Sequence, residues 1–447
     1  MFNNSFINPC RKLAFNFTDF FKPTGVNEHL NEIRMLLHTP FENKFSINKN
    51  EKVLNLIRHA TSTTDYYKTY KEHKKLKDFP IIKKTTIQEN FDAFRSSEYL
   101  KAKNYKVSTS GSTGVPFFIF QNKNKRKRNT ADVIYYYNKV GHEIGDRLYE
   151  FEVWRSHNKK SRLKSFIQNV VQFDVSKLTD DRISELFSVL KKDKGPKTFL
   201  GFASAYETIC QYVERNNLNT PFNFNIQAII ANSEYLNDYT REHMSKFFNA
   251  PIYSRYSNEE IGLMAQQIKD SGKEFIINWA SYHIELLEFD TDEPVKYGQP
   301  GRIVVTDLYN YCMPLIRFDT GDIGVFSKPE KGKLPNFKHI EGRKMDLIYD
   351  TSGDLVSSFV VYTKFYNYYK FLKQYQFIQT DEKRYTIKLN LIDDNCDFEK
   401  ELIESMKLDF GRDAEIKIEY VHEIPPLSSG KRKKVLSLYQ KEKSDSN

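Results

Sequence analysis

Residues 107–116 read Val-Ser-Thr-Ser-Gly-Ser-Thr-Gly-Val-Pro, a stretch rich in glycine and hydroxyl side chains. Gly111 and Gly114 allow backbone turns with positive φ, and hydroxyl side chains alternate with them. The amides and hydroxyls of such a loop can surround phosphate oxygens. The stretch lacks the Gly-Lys-Ser/Thr ending of the common nucleotide-binding P-loop, which argues against that class of NTPase. Taken alone, it fits a phosphate-binding loop and a flexible Ser/Gly turn equally well.

A second stretch, YSRYSNEEIG at 253–262, places an aromatic ring and a pair of carboxylates just after a predicted strand. The ring of Tyr256 could cover an adenine, because aromatic faces stack on flat ring systems. The carboxylate of Glu260 could hold Mg²⁺ on phosphate oxygens, since that cation prefers oxygen ligands. A glutamate pair alone is more typical of a solvated helix face.

Two later stretches add a carboxylate and a lysine at glycine turns. RFDTGD at 317–322 places Asp322 at a strand end, where it could accept hydrogen bonds from the two hydroxyls of a ribose. PLSSGK at 426–431 presents Lys431, which could bring positive charge to a reacting phosphate or carboxylate. Each stretch alone is typical of a turn or a surface loop, and only their order and spacing together indicate a shared function.

The pattern of apolar residues predicts an α/β protein with a small α+β domain at its end. Residues 1–104 carry apolar side chains at intervals of three and four, which predicts a mainly helical segment. From about residue 105, short apolar runs alternate with amphipathic segments, as α/β architecture requires. Strands crowd together around 273–326 and suggest a mostly antiparallel sheet or barrel. We expect an N-terminal domain over 1–342 and a C-terminal domain over 343–447.

The net charge of +10 is local. Residues 101–170 hold 15 Lys and Arg against 5 Asp and Glu, and the rest of the chain is balanced at 53 against 53. The basic run NKNKRKR at 122–128 is interpreted as a solvated basic surface. No nucleic-acid module signature accompanies it, so we expect no nucleic-acid partner.

Cysteine and histidine spacing and hydropathy exclude other classes of protein. The four cysteines form no CxxC pair and the histidines form no HExxH motif, which disfavours a zinc site or a disulfide framework. No apolar run is long enough to span a membrane, and the first residues lack a secretory signal. We therefore expect a cytoplasmic protein without membrane insertion.

Taken together, these ordered motifs resemble the adenylate-forming superfamily of acyl-CoA ligases, peptide-synthetase adenylation domains and luciferases. The similarity is greatest to its phenylacetate-CoA ligase and capsule-biosynthesis CapK-like branch. It covers essentially the whole chain, from HATSTTDYYKTY and DFPIIKKTTIQENF through TFLGFASAYETI, IIANSEYL, YSNEE, PLIRFDTGDIG and HIEGRKMD to PPLSSGK. It implies a large N-terminal domain and a small, mobile C-terminal domain carrying the catalytic lysine.

The resemblance also implies a role for each matching residue. The phosphates of ATP would be wrapped by Ser110, Gly111, Ser112, Thr113 and Gly114, with Thr113 also taking part in catalysis. Glu260 would hold Mg²⁺. The rest of the nucleotide would be bound by Tyr256, Ser233, Glu234, Asp322 and Arg343. Lys431 would bridge the substrate carboxylate and the α phosphate. The carboxylic-acid pocket would be bordered by Gly201, Phe202, Ala203 and Ser204.

Four positions depart from the pattern of the superfamily. Val115 and Phe117 stand where relatives often carry lysine or another polar residue, and Glu259 stands where threonine is common. Met345 occupies the hinge position that is typically Asp or Lys. These changes bear on phosphate binding, on the charge beside the metal site and on domain rotation.

The function implied is ATP-dependent activation of a carboxylic acid as an acyl adenylate, followed by acyl transfer to coenzyme A. Transfer to an amine, a sugar amine or a carrier protein is the alternative, and a non-catalytic ATP-binding relative is a third possibility. Retention of Lys431, Glu260 and Asp322 together weighs against the third.

Overall fold

The structure is a computed structural model, and it describes residues 4–21, 25–38, 46–109, 117–154, 159–343, 348–356, 358–393, 397–425 and 433–439. The chain forms two compact units. The first unit comprises Met1–Leu148, Arg162–Val170 and Tyr253–Ile340, and the second comprises Tyr149–Ser161, Val171–Ile252 and Glu341–Asn447. Helices and sheets are mixed throughout, and the predicted α/β class is confirmed.

The elements are numbered in chain order. The α-helices are α1 Asn4–Phe20, α2 Val26–His38, α3 Ser46–Thr63, α4 Asp65–Lys68, α5 Lys84–Glu89, α6 Lys123–Asn138, α7 Arg162–Gln168, α8 Asp180–Lys192, α9 Ala203–Arg215, α10 Asp238–Phe248, α11 Ser358–Phe365 and α12 Glu399–Phe410. The strands are β1 Tyr105–Thr109, β2 Phe117–Gln121, β3 Arg147–Glu152, β4 Val170–Asp174, β5 Lys197–Phe202, β6 Ile226–Asn232, β7 Ile252–Asn258, β8 Gly262–Gln266, β9 Ile276–Ile277, β10 Tyr282–Leu287, β11 Pro300–Asp307, β12 Phe318–Phe326, β13 Phe337–Arg343, β14 Ile348–Tyr349, β15 Leu355–Val356, β16 Leu372–Gln379, β17 Arg384–Leu391, β18 Glu415–Tyr420 and β19 Val435–Ser437. Short 3₁₀ turns occur at Leu76–Asp78, Phe91–Phe94, Ser97–Tyr99 and Tyr366–Phe371.

The first unit contains antiparallel strands and most of the N-terminal helices. β1 and β2 form a hairpin in which Thr109 lies opposite Phe117, so the glycine-rich stretch connects two paired strands. β10, β11 and β12 pair antiparallel in the sheet β10-β11-β12-β13, which confirms the antiparallel region expected around 273–326. β7, β8 and β9 also pair antiparallel.

The second unit contains parallel strands followed by helices, and this arrangement positions several predicted residues. β5 and β6 pair in parallel, with Phe202 opposite Asn232. α9 begins directly after β5, and α10 follows β6 after a short loop. The carboxyl ends of two neighbouring parallel strands are a common place for a ligand site in α/β sheets. The residues that follow these two ends are Ala203-Ser204 and Ser233-Glu234.

The C-terminal part of the second unit forms the small α+β structure that the sequence predicts. Its sheet has the order β18-β17-β16-β19, with β16 and β17 antiparallel and the two outer pairs parallel. Helix α12 contributes Leu402, Met406 and Phe410 to the same buried cluster as Phe377 and Ile387 of the sheet. No helix within the described part of the chain is both long and apolar enough to cross a membrane.

The basic run at 122–128 is solvated only in part: Lys123 and Arg126 are exposed, whereas Lys125 and Arg128 are buried. Asn122 caps α6 by accepting from the Lys125 amide at 2.7 Å, and the helix turns Lys125 and Arg128 inward, where both are fully buried. Lys125 Nζ lies 2.7 Å from Oδ2 of the buried Asp307. The two groups form an ion pair, but their contact does not have the geometry of a hydrogen bond. The predicted solvated surface is therefore confirmed for Lys123 and Arg126 and wrong for Lys125 and Arg128, because charge density does not reveal which side of a helix is buried.

Arg128 is surrounded by acceptors from distant parts of the first unit. Its guanidinium donates to Ser281 Oγ at 2.8 Å and to the carbonyl of Ala280 at 2.9 Å, and it pairs with Glu32 on α2. Burial alone would raise the pKa of Glu32, but ion pairs with Arg128 and Lys52 lower it to about 2. Arg128 therefore connects α6 to α2 and to residues 280–281, and Lys52 connects α3 to α2.

We predict that Lys125→Met lowers the free energy of unfolding by about 3 to 5 kcal/mol, because it leaves the carboxylate of Asp307 buried without its counter-charge. Urea denaturation measures this change. The double variant Lys125→Met/Asp307→Leu should recover much of the loss, since neither charge then remains. Lys333→Met, which breaks an exposed pair with Glu330, is the matched control and should change little. Equal effects of Lys125→Met and Lys333→Met would contradict the prediction.

Candidate functional site

Glu260 lies in the turn between β7 and β8 and is almost completely buried, with 1% of its surface exposed. Asn258 shapes this turn, because its side-chain oxygen accepts from the Ile261 amide at 2.7 Å. Gln121, the last residue of β2, donates through Nε2 to the Glu260 carbonyl at 3.1 Å. The hairpin that carries the glycine-rich stretch is thereby attached to the predicted magnesium ligand.

The carboxylate of Glu260 is paired with Lys84, a residue that the sequence did not single out. Lys84 begins α5, and its ammonium group donates to Glu260 Oε1. The same ammonium lies 5.1 Å from the centre of the Phe117 ring, at the start of β2. Lys84 therefore places a positive charge beside the residue that follows the glycine-rich stretch. The only sequence signal was a pair of lysines after Pro80, which is too common to indicate a site.

The geometry at Glu260 fits a magnesium ion. Its second carboxylate oxygen, Oε2, is buried and has no hydrogen-bond partner among the described residues. A buried carboxylate oxygen without a partner is costly unless something binds it. Mg²⁺ is commonly held by one or two carboxylates together with substrate phosphates. Within the described residues, no group of three or more His, Cys, Asp or Glu could hold a metal ion. A magnesium ion at Glu260 would therefore need the substrate phosphates as further ligands.

Tyr256 and Asp322 are directly hydrogen-bonded to each other. The Tyr256 hydroxyl donates to Asp322 Oδ2 at 2.8 Å and lies 3.3 Å from Thr320 Oγ1. Burial, together with the nearby Asp322 carboxylate, raises the pKa of Tyr256 well above its usual value, so this hydroxyl keeps its proton. The two residues predicted to bind adenine and ribose thus form one polar group in the first unit.

The turn before Asp322 is shaped by Gly321 and Asp319. Gly321 adopts φ of 77°, a conformation that favours glycine, and its amide donates to Asp319 Oδ1 at 2.9 Å. Asp319 is in turn paired with the buried Arg302 at 3.1 Å. The Asp322 amide donates to Thr320 Oγ1 at 3.1 Å. The backbone that carries the predicted ribose ligand is therefore fixed from both sides.

In the second unit the structure brings Ser204 and Glu234 together. The Ser204 amide at the start of α9 donates to Glu234 Oε2 at 2.8 Å. Phe202, the residue that precedes this helix, has no side chain able to cap it, so Glu234 takes over this task. Ser233 adopts φ of 66°, which is uncommon for a residue other than glycine and is frequent at functional sites. Two separately predicted groups therefore meet at the ends of β5 and β6.

The four residues predicted to border an acid pocket differ in exposure. Phe202 and Ala203 are buried, and Ala203 belongs to the apolar core of the second unit. At Gly201 a Cβ atom would lie 2.5 Å from the Cβ of Phe151, so only glycine fits there. Ser204 is the partly exposed member of the set. Packing alone accounts for the first three residues, and a role in binding a substrate remains a prediction for all four.

Several predicted residues lie outside the described part of the chain. These are the loop residues Ser110, Gly111, Ser112, Thr113 and Gly114, together with Val115, Met345 and Lys431. Arg343 is the last residue of β13, and its backbone alone is described. The roles of these residues remain predictions.

We predict that Glu234→Ala lowers the free energy of unfolding of the second unit by about 1 kcal/mol, as expected for loss of a helix cap. Glu234→Gln, which keeps an acceptor oxygen, should lose less. Ser204→Ala is the control, because the bond uses the backbone amide of Ser204 and should survive the change. Thermal or urea unfolding followed by circular dichroism measures all three. A Ser204→Ala variant as unstable as Glu234→Ala would refute the proposed cap.

Comparisons with known proteins agree with this architecture. The family described as CapK C-terminal domain matches residues 348–437. Protein CapK from Staphylococcus aureus is 24% identical over 372 residues, which cover 80% of this chain and 79% of that protein. A solved structure of 2-hydroxyisobutyryl-CoA ligase in the postadenylation state, in complex with R3-HIB-AMP, has a TM-score of 0.73 and 16% identity, covering 90% of this chain and 91% of that one.

A second solved structure, ATP-bound MatB from Rhodopseudomonas palustris, has a TM-score of 0.54 and 16% identity over 73% of this chain and 65% of that chain. At these identities the solved structures establish the fold alone. The family resemblance indicated by the motifs is confirmed by these similarities: residues 348–437 match the CapK C-terminal domain, the chain is similar to CapK over most of its length, and its fold is similar to that of 2-hydroxyisobutyryl-CoA ligase.

Proposed function

We propose that this protein uses ATP to activate a carboxylic acid as an acyl adenylate, releasing pyrophosphate, and then transfers the acyl group to coenzyme A with release of AMP. The observation that carries this proposal is the polar group of the first unit. There Tyr256 is bonded to Asp322, and the buried Glu260 has one carboxylate oxygen without a partner among the described residues. The reaction needs ATP, so we place it in the cytoplasm.

The main barrier to this chemistry is electrostatic. A carboxylate must attack the α phosphate of ATP, and both groups are anions, so cations and oriented amides have to offset the repulsion. The chain offers Lys431 on the C-terminal side and the amides of the Ser110–Gly114 loop. Lys84 adds a cation beside Phe117, the first described residue after that loop. Its position supports a role in replacing the lysine that relatives often carry next to the loop.

Each remaining residue has a role in holding the reactants. We assign the Tyr256 ring to the adenine and the Asp322 carboxylate to the ribose hydroxyls. For Ser233, Glu234 and Arg343 we keep the nucleotide-binding role that the family resemblance implies. Glu260 would hold Mg²⁺, which when bound neutralises charge on the phosphates. Ser204 is the member of the 201–204 segment whose exposure suits contact with the acid.

The identity of the acceptor distinguishes two forms of the proposal. The similar 2-hydroxyisobutyryl-CoA ligase has been crystallised in complex with 2-HIB-AMP and CoA, which supports coenzyme A as the acceptor. Mass spectrometry of the reaction products separates the alternatives. The protein is incubated with ATP, an acid that supports ATP/pyrophosphate exchange, and either coenzyme A or an amine. We expect the thioester. An amide or sugar-amide product without thioester would overturn the coenzyme A assignment while leaving adenylation intact.

We predict that Lys431→Ala lowers acid-dependent ATP/pyrophosphate exchange by at least about a hundredfold, because the cation stabilises charge that develops in the transition state. A panel of aryl, short-chain and amino acids supplies the substrates. Lys417→Ala is the control, since Lys417 is an exposed lysine of the same domain, paired with Glu419. Adenylation would be excluded if the wild-type protein showed neither exchange with any acid nor binding of ATP.

We predict that Glu260→Gln raises the Mg²⁺ concentration required for half-maximal exchange by about tenfold or more, because the amide is a weaker ligand for a hard cation. The neighbouring Glu259 provides a matched control, since it is exposed in the same turn. Glu259→Gln should change the Mg²⁺ requirement much less. Titration of exchange activity with Mg²⁺ at fixed ATP measures both variants, and equal shifts would show that Glu260 is not the metal ligand.

A further inference from the structure

Three neighbouring strands, β3, β5 and β6, end side by side in the second unit. In the sheet, β5 lies between β3 and β6, and it is parallel to β6. β3 runs in the same direction as β5, because Tyr149 lies beside Phe199, with 5.8 Å between ring centres, and Phe151 lies beside Gly201. The last residues of the three strands, Glu152, Phe202 and Asn232, therefore lie at one edge of the sheet.

The side chain of Asn232 contacts Glu152 across the end of β5. Its Nδ2 donates to Glu152 Oε1 at 3.2 Å. Because a carboxylate only accepts, this bond fixes which end of the Asn232 amide faces Glu152. The amide oxygen, Oδ1, is left to accept from another group, yet it is buried and has no hydrogen-bond partner among the described residues. A buried acceptor without a donor costs free energy unless something binds it.

The backbone that follows Asn232 is held in an uncommon turn. The Glu234 amide donates to the Asn232 carbonyl at 2.8 Å, which closes a three-residue turn around Ser233. Ser233 has φ of 66°, and three-residue turns with positive φ are rare and strained. Strained backbone of this kind concentrates at ligand-binding sites. The turn is a second observation, independent of the Asn232 side chain, that indicates a ligand at this edge.

The polar residues at this edge are accessible, whereas the apolar residues between them are not. Glu152, Ser204 and Asn232 are partly exposed, and Phe202 and Ala203 are buried. The carboxyl ends of neighbouring parallel strands are a common place for a ligand in α/β sheets. We call Glu152, Ser204 and Asn232 together the strand-end site.

The side chains of Asn232 and Glu152 offer acceptors to a ligand. The Asn232 oxygen accepts only, and the carboxylate of Glu152 has room for more than one donor. By contrast, the nearby carboxylate of Glu150 is already bound by Lys160, at 2.6 Å from each oxygen. A ligand group that complements the strand-end site is therefore a hydrogen-bond donor. A methyl group of the same size would leave the Asn232 oxygen buried without a partner.

We propose that the carboxylic acid activated by this protein carries a hydroxyl or amino group, and that Asn232 and Glu152 accept hydrogen bonds from it. The inference rests on the proposed adenylation activity and adds the chemical class of its substrate. A site built to bond a hydroxyl or amino group rejects an analogue without it, because the buried polar atom of the site then loses its partner. Asn232 and Glu152 thus determine specificity.

The amino group of adenine is the main competing donor, since Ser233 and Glu234 keep a predicted nucleotide-binding role. The Tyr256 ring and the Asp322 carboxylate are already assigned to the nucleoside, and the strand-end site includes Ser204 of the segment predicted to border the acid. Both points favour the acid as the donor at Asn232. An adenine contact would change the KM for ATP with every acid alike.

The experiment compares acids that differ in a single group. Lactate and alanine carry a hydroxyl and an amino group where isobutyrate has a methyl group, and para-hydroxybenzoate and para-aminobenzoate differ in the same way from para-toluate. The kcat/KM of ATP/pyrophosphate exchange is measured for each acid with the full chain. In the set that supports exchange, we expect a member with a donor to exceed its methyl counterpart by about a hundredfold or more.

Three variants test the two residues. Asn232→Leu removes the acceptor at similar volume and should lower the preference for the donor by about tenfold or more while the KM for ATP changes less than about twofold. Glu152→Gln removes the charge and should weaken exchange with alanine, whose amino group is charged, more than with lactate. Glu150→Gln, on the same strand, is the control and should leave the preferences unchanged. Each preference compares acids on one preparation, so partial unfolding of a variant does not alter it.

Two results would overturn this inference and leave adenylation intact. Wild-type exchange that favours the methyl member of each set would show that the acid is apolar. An Asn232→Leu variant with a raised KM for ATP and an unchanged preference among acids would assign Asn232 to the nucleotide. The absence of both exchange and ATP binding would instead remove the proposed function, and this inference with it.

Discussion

The burial of the Glu260 carboxylate constrains the first unit more than any other single feature of the candidate site. A carboxylate removed from water needs a counter-charge, and Lys84 supplies it from a segment 176 residues away in the chain. Gln121 binds the backbone of the same residue from the end of the glycine-rich hairpin. Glu260 therefore joins α5 and β2 to the β7–β8 turn, through its carboxylate to Lys84 and through its backbone carbonyl to Gln121.

The excess basic residues of the segment 101–170 include a buried group and a group beside exposed apolar side chains. The sequence does not distinguish the two groups. On α6, Lys125 and Arg128 are buried and pair with carboxylates. On α7, Arg162 and Lys164 accompany exposed apolar residues. Net charge is a sum over residues, whereas burial depends on which helix face meets the core. Counting charges could therefore locate the excess, but its division between core and surface required the fold.

The sequence predicted the elements that depend on local pattern and missed the contacts that depend on distant residues. Alternating apolar runs located β5, β6 and the antiparallel strands around β11, and the motif order indicated the similarity to CapK and to the fold of acyl-CoA ligases. The pairing of Lys84 with Glu260 and the bond from Tyr256 to Asp322 join residues 176 and 66 positions apart. No local periodicity carries such information. The cap of Ser204 by Glu234 was missed for the same reason, although both residues had been singled out.

The bond between Tyr256 and Asp322 also limits how a nucleotide could be held. Because the hydroxyl donates to the carboxylate, the ring proposed to stack on adenine and the oxygen proposed to accept from ribose cannot move independently. Thr320 ties both to β12, since its hydroxyl lies beside the Tyr256 oxygen and accepts from the Asp322 amide. Sites held in position before the ligand arrives lose less entropy on binding than sites that must form around it. A base and its sugar would thus meet a surface on which β7 and β12 already fix the spacing between the Tyr256 ring and the Asp322 carboxylate.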